Sequence, residues 1–131
     1  GRDHAIPVLP LAKATLDGLP FTGKYFFPGK SPDSHLNDGS WGTLKKELDK
    51  LSGVTGWDVR DIRRTFRSTM AKLKVPRHIA EVLINHVTGT RNELDAIYDR
   101  YDYLSEKREA LEKFENYLLM LLAKHQAASA A

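Results

Sequence analysis

Cysteine is absent from the 131-residue sequence, and so is any long apolar run. Without cysteine there can be neither disulfides nor thiol catalysis, and a metal site would have to use histidine and carboxylates. A helix that spans a membrane needs about 20 consecutive apolar residues, and no stretch of this chain approaches that length. The pattern is typical of a globular protein in a reducing compartment, and we expect the cytoplasm.

A large net charge is also lacking: the formal charge is +3, from 20 basic and 17 acidic residues. The distribution of charge is more informative than its sum, because seven basic residues crowd one stretch that has Asp61 as its only acid. A local basic patch is typical of a phosphate-binding surface. Its members are Arg60, Arg63, Arg64, Arg67, Lys72, Lys74 and Arg77.

The spacing of apolar residues predicts a mainly α protein, long enough for one domain with a core. Residues 1–9 have β-like character and predict a short strand, Tyr25-Phe26-Phe27 predicts a short buried strand or extended segment, and 28–39 predicts a loop. The tail, 126–131, is small and polar, so we expect it to fray. Helices are predicted over 10–18, 41–52 with Ser40 as cap, 58–74 with Asp58 or Asp61 as the first residue, 78–85, 93–101 and 104–124.

The helix at 58–74 is amphipathic. Ile62, Phe66, Met70 and Leu73 share one face, which predicts contact with the core. The arginines lie on the other side, with Arg63 at the boundary between the two faces. Such an arginine can be braced by the core while its guanidinium points into a cleft.

Three short segments carry residues suited to phosphodiester chemistry. They are RDIRRT at 60–65, LINH at 83–86 and YDRYDYL at 98–104. Arginines can hold phosphate oxygens, a histidine can add a hydrogen bond or manage a proton, and a tyrosine hydroxyl can attack phosphorus.

In this order, the three segments resemble the C-terminal half of the tyrosine recombinase catalytic domain, of the prophage and genomic-island integrase type. The segment HAIPV at 4–8 resembles the strand that follows the β-hairpin of that family. The resemblance implies that residues 1–131 are the C-terminal portion of this mainly α catalytic fold, with a short N-terminal strand or hairpin remnant.

The resemblance also implies roles. Arg60, Arg63, His86 and Tyr98 match catalytic positions, with Tyr98 as the nucleophile that forms a 3′-phosphotyrosyl link. Arg60 stands where many relatives have histidine, and an arginine cannot shuttle protons at neutral pH, so its role would be electrostatic. Tyr98 follows His86 by 12 residues. This is a few more than the resemblance implies, and a loop insertion at 88–93 would account for them.

DNA-backbone contacts are expected from Arg64, Arg67, Arg77 and His78. The partners implied are double-stranded DNA attachment sites and further copies of the protein, with a tetramer on DNA and a possible dimer of this segment. No metal and no cofactor are expected, and the location would be the cytoplasm of a bacterial host. The resemblance also implies a further catalytic arginine upstream and a hairpin lysine, and neither is matched in the chain. We therefore expect a fragment of an integrase that is inactive, or nearly so, on its own.

Other functions remain open. A type IB topoisomerase shares this chemistry, a non-catalytic helical DNA-binding module would use the same arginines to hold phosphates, and a helical protein-interaction fragment would bind no DNA. Local alternatives exist as well: Arg63 could form a salt bridge with Asp61 or Glu47, and His86 could cap a helix or sit in the core.

The nucleophile and the last helix also have alternatives. Tyr101 and Tyr103 compete with Tyr98, and all three tyrosines could simply pack between helices. The final helix repeats leucine every seven residues and could pack on its own domain or dock on a neighbouring protomer. This short heptad seam comprises Leu104, Leu111 and Leu118, with Phe114 and Leu121 also seven apart.

Overall fold

The structure is a computed structural model that describes residues 4–20, 23–31, 33–37, 41–86 and 101–130. Over these ranges the fold is mainly α, as predicted, and the strand-like element is limited to an isolated antiparallel bridge between Pro28 and His35. The helices are α1 (Pro10–Asp17), α2 (Trp41–Ser52), α3 (Val59–Lys72), α4 (Arg77–Leu83) and α5 (Leu104–Ser129). The helix expected at 93–101 and the Ser40 cap lie outside the described residues.

The chain forms two compact units. Unit 1 comprises Gly1–Leu11 and Thr65–Ala131, and unit 2 comprises Ala12–Arg64. The boundary falls inside α3, so the first turns of this helix belong to unit 2 and the rest to unit 1.

Helix α3 begins at an aspartate and ends at a left-handed residue. The Asp58 carboxylate accepts a hydrogen bond from the amide of Arg60 at 2.6 Å, as expected of a residue that caps a helix N-terminus. At the other end Lys74 has φ 57, and the amide of Val75 donates to the carbonyl of Met70 at 3.0 Å. This is a Schellman turn, and it stops the helix immediately before Pro76.

Helix α4 follows Pro76 and closes in the same way. Asn85 has φ 51, and its amide donates to the carbonyl of Val82. The amide of His86 donates to the carbonyl of Glu81 at 2.9 Å. This second Schellman turn fixes the backbone at which the LINH segment ends.

The hydrophobic core lies in unit 1, where α4 packs against α5. Met70 is completely buried, and Phe66 meets Phe114 edge to face with ring centroids 4.9 Å apart. Phe66, Met70 and Leu73 thus contact the core as predicted. The other buried members of the cluster are Val75, Ile79, Ala80, Leu83 and Ala110.

Residues 4–9 form neither helix nor strand, which corrects the predicted strand over the described part of 1–9. Side chains hold this segment instead of a sheet partner. Lys107 is almost completely buried, and its ammonium group donates a hydrogen bond to the carbonyl of Ala5 at 3.0 Å. The ring of His4 lies 3.1 Å from the carbonyl of Leu83, so this half-buried histidine contacts the end of α4.

Unit 2 has no buried residue in the part that the structure describes. Phe26 and Phe27 are exposed, so the prediction of a buried strand at 25–27 was wrong. Ile62 is 59% exposed, which corrects its assignment to the core face of α3. The apolar face of α2 is likewise exposed and consists of Trp41, Leu44, Leu48 and Leu51.

Helix α5 continues to Ser129, so the prediction that it ends near 124 and that 126–131 frays was wrong over the described residues. In its first half, Leu111 and Phe114 pack against the core of unit 1, which is the packing predicted as one reading of the heptad seam. Leu121, further along, is 42% exposed. No described helix combines the length and the apolar character needed to cross a bilayer.

Candidate functional site

The candidate residues are divided between the two units. The first three arginines of α3 belong to unit 2, and the remaining described candidates belong to unit 1. Tyr98, the proposed nucleophile, lies outside the described residues. Unit 2 thus carries Arg60, Arg63 and Arg64, and unit 1 carries Arg67, Arg77, His78 and His86.

Arg60 and Arg63 are exposed, and their guanidinium groups form no hydrogen bond or ion pair with any residue that the structure describes. The salt bridge considered for Arg63 is not made, because Asp61 binds Arg64 instead, with 2.8 Å between Oδ1 and Nη1. Arg63 does not lie at the edge of a packed face, since the neighbouring Ile62 is itself exposed. Among the described residues, these two guanidinium groups therefore donate to no other side chain or carbonyl.

Asp61 is held as a carboxylate by its neighbours. The backbone amide of Asp58 donates to it, and the side chain of Arg64 donates as well. These bonds lower the pKa of Asp61 from its ordinary value, with the Asp58 amide as the larger cause. A charged Asp61 holds Arg64 in this ion pair, and the DNA-backbone contact expected of Arg64 stays a prediction.

Arg67 and Arg77 converge on one carboxylate. Glu81 Oε1 accepts from Arg67 Nη2 at 3.0 Å and from Arg77 Nε at 2.8 Å. The side chain of Glu81 is only 12% exposed, whereas that of Arg77 is 77% exposed. The hydrogen bond to Glu81 raises the pKa of Arg77 above its already high value, so this guanidinium stays charged.

His78 lies on the exposed side of α4. Its ring meets the ring of Tyr103 edge to face, with centroids 5.9 Å apart. Tyr103 also packs against the core, so aromatic packing accounts for this tyrosine. Tyr101 is 56% exposed, and its hydroxyl lies 3.3 Å from Ser105 Oγ. Of the two described competitors for the role of nucleophile, Tyr101 is the more accessible.

His86 is exposed, which excludes the core-histidine alternative. Its backbone amide donates to Glu81, so the residue does help to close α4. This contact uses only the main chain, and the imidazole has no partner in the described part of the chain. A ring in this position is compatible with a hydrogen bond to a phosphate.

The sequence did not predict the contacts of two residues in this region. Glu81 joins Arg67, Arg77 and His86, and Lys107 is buried against Ala5. The four-residue spacing of Arg77 and Glu81 on a helix would have indicated their ion pair. No local signal links Glu81 to Arg67, because that contact depends on how α3 and α4 pack in unit 1.

The chemistry available here is anion binding. Exposed guanidinium groups, some unpaired and some held by a carboxylate, match the geometry and charge of phosphate oxygens. Within the described ranges, no cluster of three or more histidine, aspartate or glutamate side chains could hold a metal ion. A scan against protein-family models finds no match, and searches of curated proteins and of solved structures find no similar chain.

Proposed function

We propose that the protein cuts and rejoins double-stranded DNA as part of a tyrosine recombinase of the integrase type. The ordered segments RDIRRT, LINH and YDRYDYL support this function by their resemblance to that family. The structural observation that carries the proposal is the state of Arg63: it is exposed and unpaired among the described residues, while Asp61, the acid closest to it in sequence, is engaged by Arg64. Arg63 is therefore available to a phosphate.

In the proposed reaction, the Tyr98 hydroxyl loses its proton and its oxygen bonds to the scissile phosphorus. The bond from phosphorus to the 5′ oxygen breaks, and this oxygen takes a proton and leaves as a 5′-hydroxyl. Arg60 and Arg63 stabilise the negative charge on the oxygens of the five-coordinate phosphorus, and His86 donates a hydrogen bond to one of these oxygens. Because the phosphotyrosyl link retains the bond energy, attack by another 5′-hydroxyl rejoins the strands without ATP.

The resemblance supplies the substrate class. The partners would be DNA attachment sites and further copies of the protein, four on a synapsed pair of sites. By the same resemblance, the location would be the cytoplasm of a bacterial host. Arg64, Arg67, Arg77 and His78 would contact the backbone around the cleaved phosphate.

A second function is a helical module that binds DNA without cutting it. The exposure of Arg77 and the joint anchoring of Arg67 and Arg77 by Glu81 favour it, because a phosphate-binding pair of this kind needs no nucleophile. The two functions make the same prediction for DNA affinity. They differ only in whether a covalent bond forms.

The test is covalent capture with a nicked suicide substrate that carries a candidate attachment site. It should use the longest natural form of the protein that contains this sequence, since the resemblance implies further catalytic groups. A denaturant-resistant protein–DNA adduct is expected, with the modification mapped to Tyr98 by mass spectrometry. Tyr98→Phe should abolish the adduct and leave DNA affinity unchanged, whereas Tyr103→Phe should still form it.

The other outcomes are equally informative. An adduct on Tyr101 or Tyr103 would keep the reaction and refute the assignment of Tyr98. If the DNA is bound but never captured, the non-catalytic module becomes the better explanation. Absence of any salt-dependent DNA binding would refute both functions.

A further inference from the structure

Glu81 is the point at which three of the candidate residues meet. One carboxylate oxygen accepts a hydrogen bond from Arg67 on α3 and another from Arg77 on α4. The main-chain carbonyl of the same residue accepts the amide of His86. Glu81 itself belongs to none of the segments RDIRRT, LINH or YDRYDYL.

The two ion pairs use only some of the N–H donors of Arg67 and Arg77. A guanidinium has five N–H donors, and the bonds to Glu81 occupy one donor of Arg67 and one of Arg77. Side-chain exposure is 36% for Arg67 and 77% for Arg77, so both groups also face solvent. The carboxylate between them reduces the repulsion of two neighbouring positive charges and limits their side-chain freedom.

The position of Glu81 also restrains the histidine. His86 follows the left-handed residue Asn85, and the bond from its amide to Glu81 closes the Schellman turn. The side chain and the main chain of one residue thus fix two arginines and the backbone of one histidine.

We propose that Glu81 is a positioning residue for the DNA backbone: its carboxylate holds Arg67 and Arg77 as a preformed pair for phosphates. This inference rests on the proposed DNA-binding function. Its specific claim is that an acidic residue strengthens the binding of a polyanion. Since the arginines are already oriented, less side-chain freedom is lost when the DNA binds.

Positioning of the arginines and the net charge of the patch predict opposite effects of one substitution. Glu81→Gln removes a negative charge beside the basic patch, so charge alone predicts tighter DNA binding. Loss of positioning predicts the opposite, because two released arginines make fewer simultaneous phosphate contacts. The sign of the change in affinity therefore distinguishes the two explanations.

The experiment measures binding of a fluorescent DNA duplex by anisotropy over a salt range of about 50 to 200 mM. Glu81→Gln should weaken binding roughly tenfold and reduce the slope of log affinity against log salt by about one to two. Glu109→Gln is the matched control, because it makes the same charge change at an exposed position of α5. It should bind as tightly as the unmodified chain or slightly more tightly.

Unchanged or tighter binding by Glu81→Gln would overturn the inference. Circular dichroism of each variant identifies loss of the helical fold. If Glu81→Gln does not fold, Glu81→Asp decides, because it keeps the charge and shortens the side chain by one methylene: positioning predicts weaker binding, and unchanged affinity overturns it. If the unmodified chain itself shows no salt-dependent binding, the proposed function fails and the inference fails with it.

Discussion

Asp58 and Asp61 each accept a hydrogen bond from the backbone amide of the other at the start of α3. The Asp58 amide lies 2.9 Å from Asp61 Oδ2, and the Asp61 amide lies 3.2 Å from Asp58 Oδ1. This reciprocal arrangement is a capping box, with aspartate in the third position in place of the usual glutamate. It fixes the first turn of the helix that carries Arg60 and Arg63.

Removal of the cap should destabilise this end of α3. Asp58→Ala leaves the amides of Arg60 and Asp61 without their side-chain acceptor, and we expect a loss of about 0.5 to 2 kcal/mol in free energy of unfolding. Asp58→Asn keeps an acceptor and should lose much less. Urea denaturation followed by circular dichroism measures both. Equal losses for the two variants would show that the Asp58 oxygen does not cap the helix.

Acid should weaken the same turn. The pKa of Asp61 is lowered in the folded protein, so the unfolded chain takes up this proton first as the pH falls. The stabilisation by Asp61 is therefore complete above its ordinary pKa of 3.8 and is lost as the pH falls through the lower folded-state value. Thermal unfolding between pH 6 and pH 2 should show a smaller acid loss for Asp61→Asn than for the unmodified chain. Identical pH profiles would contradict this assignment.

Several helices could be predicted from the sequence, because neighbouring residues along the chain determine where they form. The bounds of α3 and α4 follow from apolar spacing and from Pro76. Other features depend on tertiary contacts: Ile62 has the periodicity of a core residue, but unit 2 provides no buried environment for it. The predicted end of α5 was wrong for a local reason: the alanines near its end are strong helix formers, and the helix continues through them to Ser129.

In the candidate site, too, local features could be predicted from the sequence and tertiary contacts could not. Residue type and order nominate the arginines and His86 as candidates, and their roles remain predictions. The bond between Glu81 and Arg67 could not be predicted, because it joins two helices. Tyr98 remains a prediction, since it lies outside the described residues.

The core of unit 1 should be sensitive to truncation of its central side chain. Met70 has no exposed surface, and Met70→Ala should cost about 2 to 5 kcal/mol in free energy of unfolding through lost burial and a residual cavity. Leu51→Ala is a suitable comparison, because Leu51 is 85% exposed and the change should stay within about 0.5 kcal/mol. Chemical denaturation measures both. A similar loss for the two variants would contradict the assignment of the core to unit 1.

Hydrogen exchange should differ between α2 and α4. Helix α2 has no buried residue, whereas α4 buries Ile79, Ala80 and Leu83. Amides of α2 should therefore open locally and exchange faster than those of α4, because few apolar contacts oppose opening. Mass spectrometry of peptic peptides from the unmodified chain would measure this. Equal protection of the two helices would show that α2 is covered in solution.

Substitution of Asn85 tests directly whether the turn after α4 has a left-handed residue. Its φ of 51 suits asparagine or glycine, whereas a β-branched residue is strained there. Asn85→Gly should retain the stability of the unmodified chain, and Asn85→Val should lose about 1 to 2 kcal/mol, measured by thermal unfolding. Equal stability of the two variants would show that the left-handed turn is absent in solution.

This turn also bears on how sequences of this type can diverge. The asparagine of the LINH segment is explained by the backbone alone, so its presence says nothing about catalysis. Glycine should replace it over evolutionary time without loss of the fold, while valine, isoleucine and threonine should be selected against. Searches for distant relatives should therefore treat asparagine and glycine as equivalent at position 85 and rely on His86 for the chemical signal.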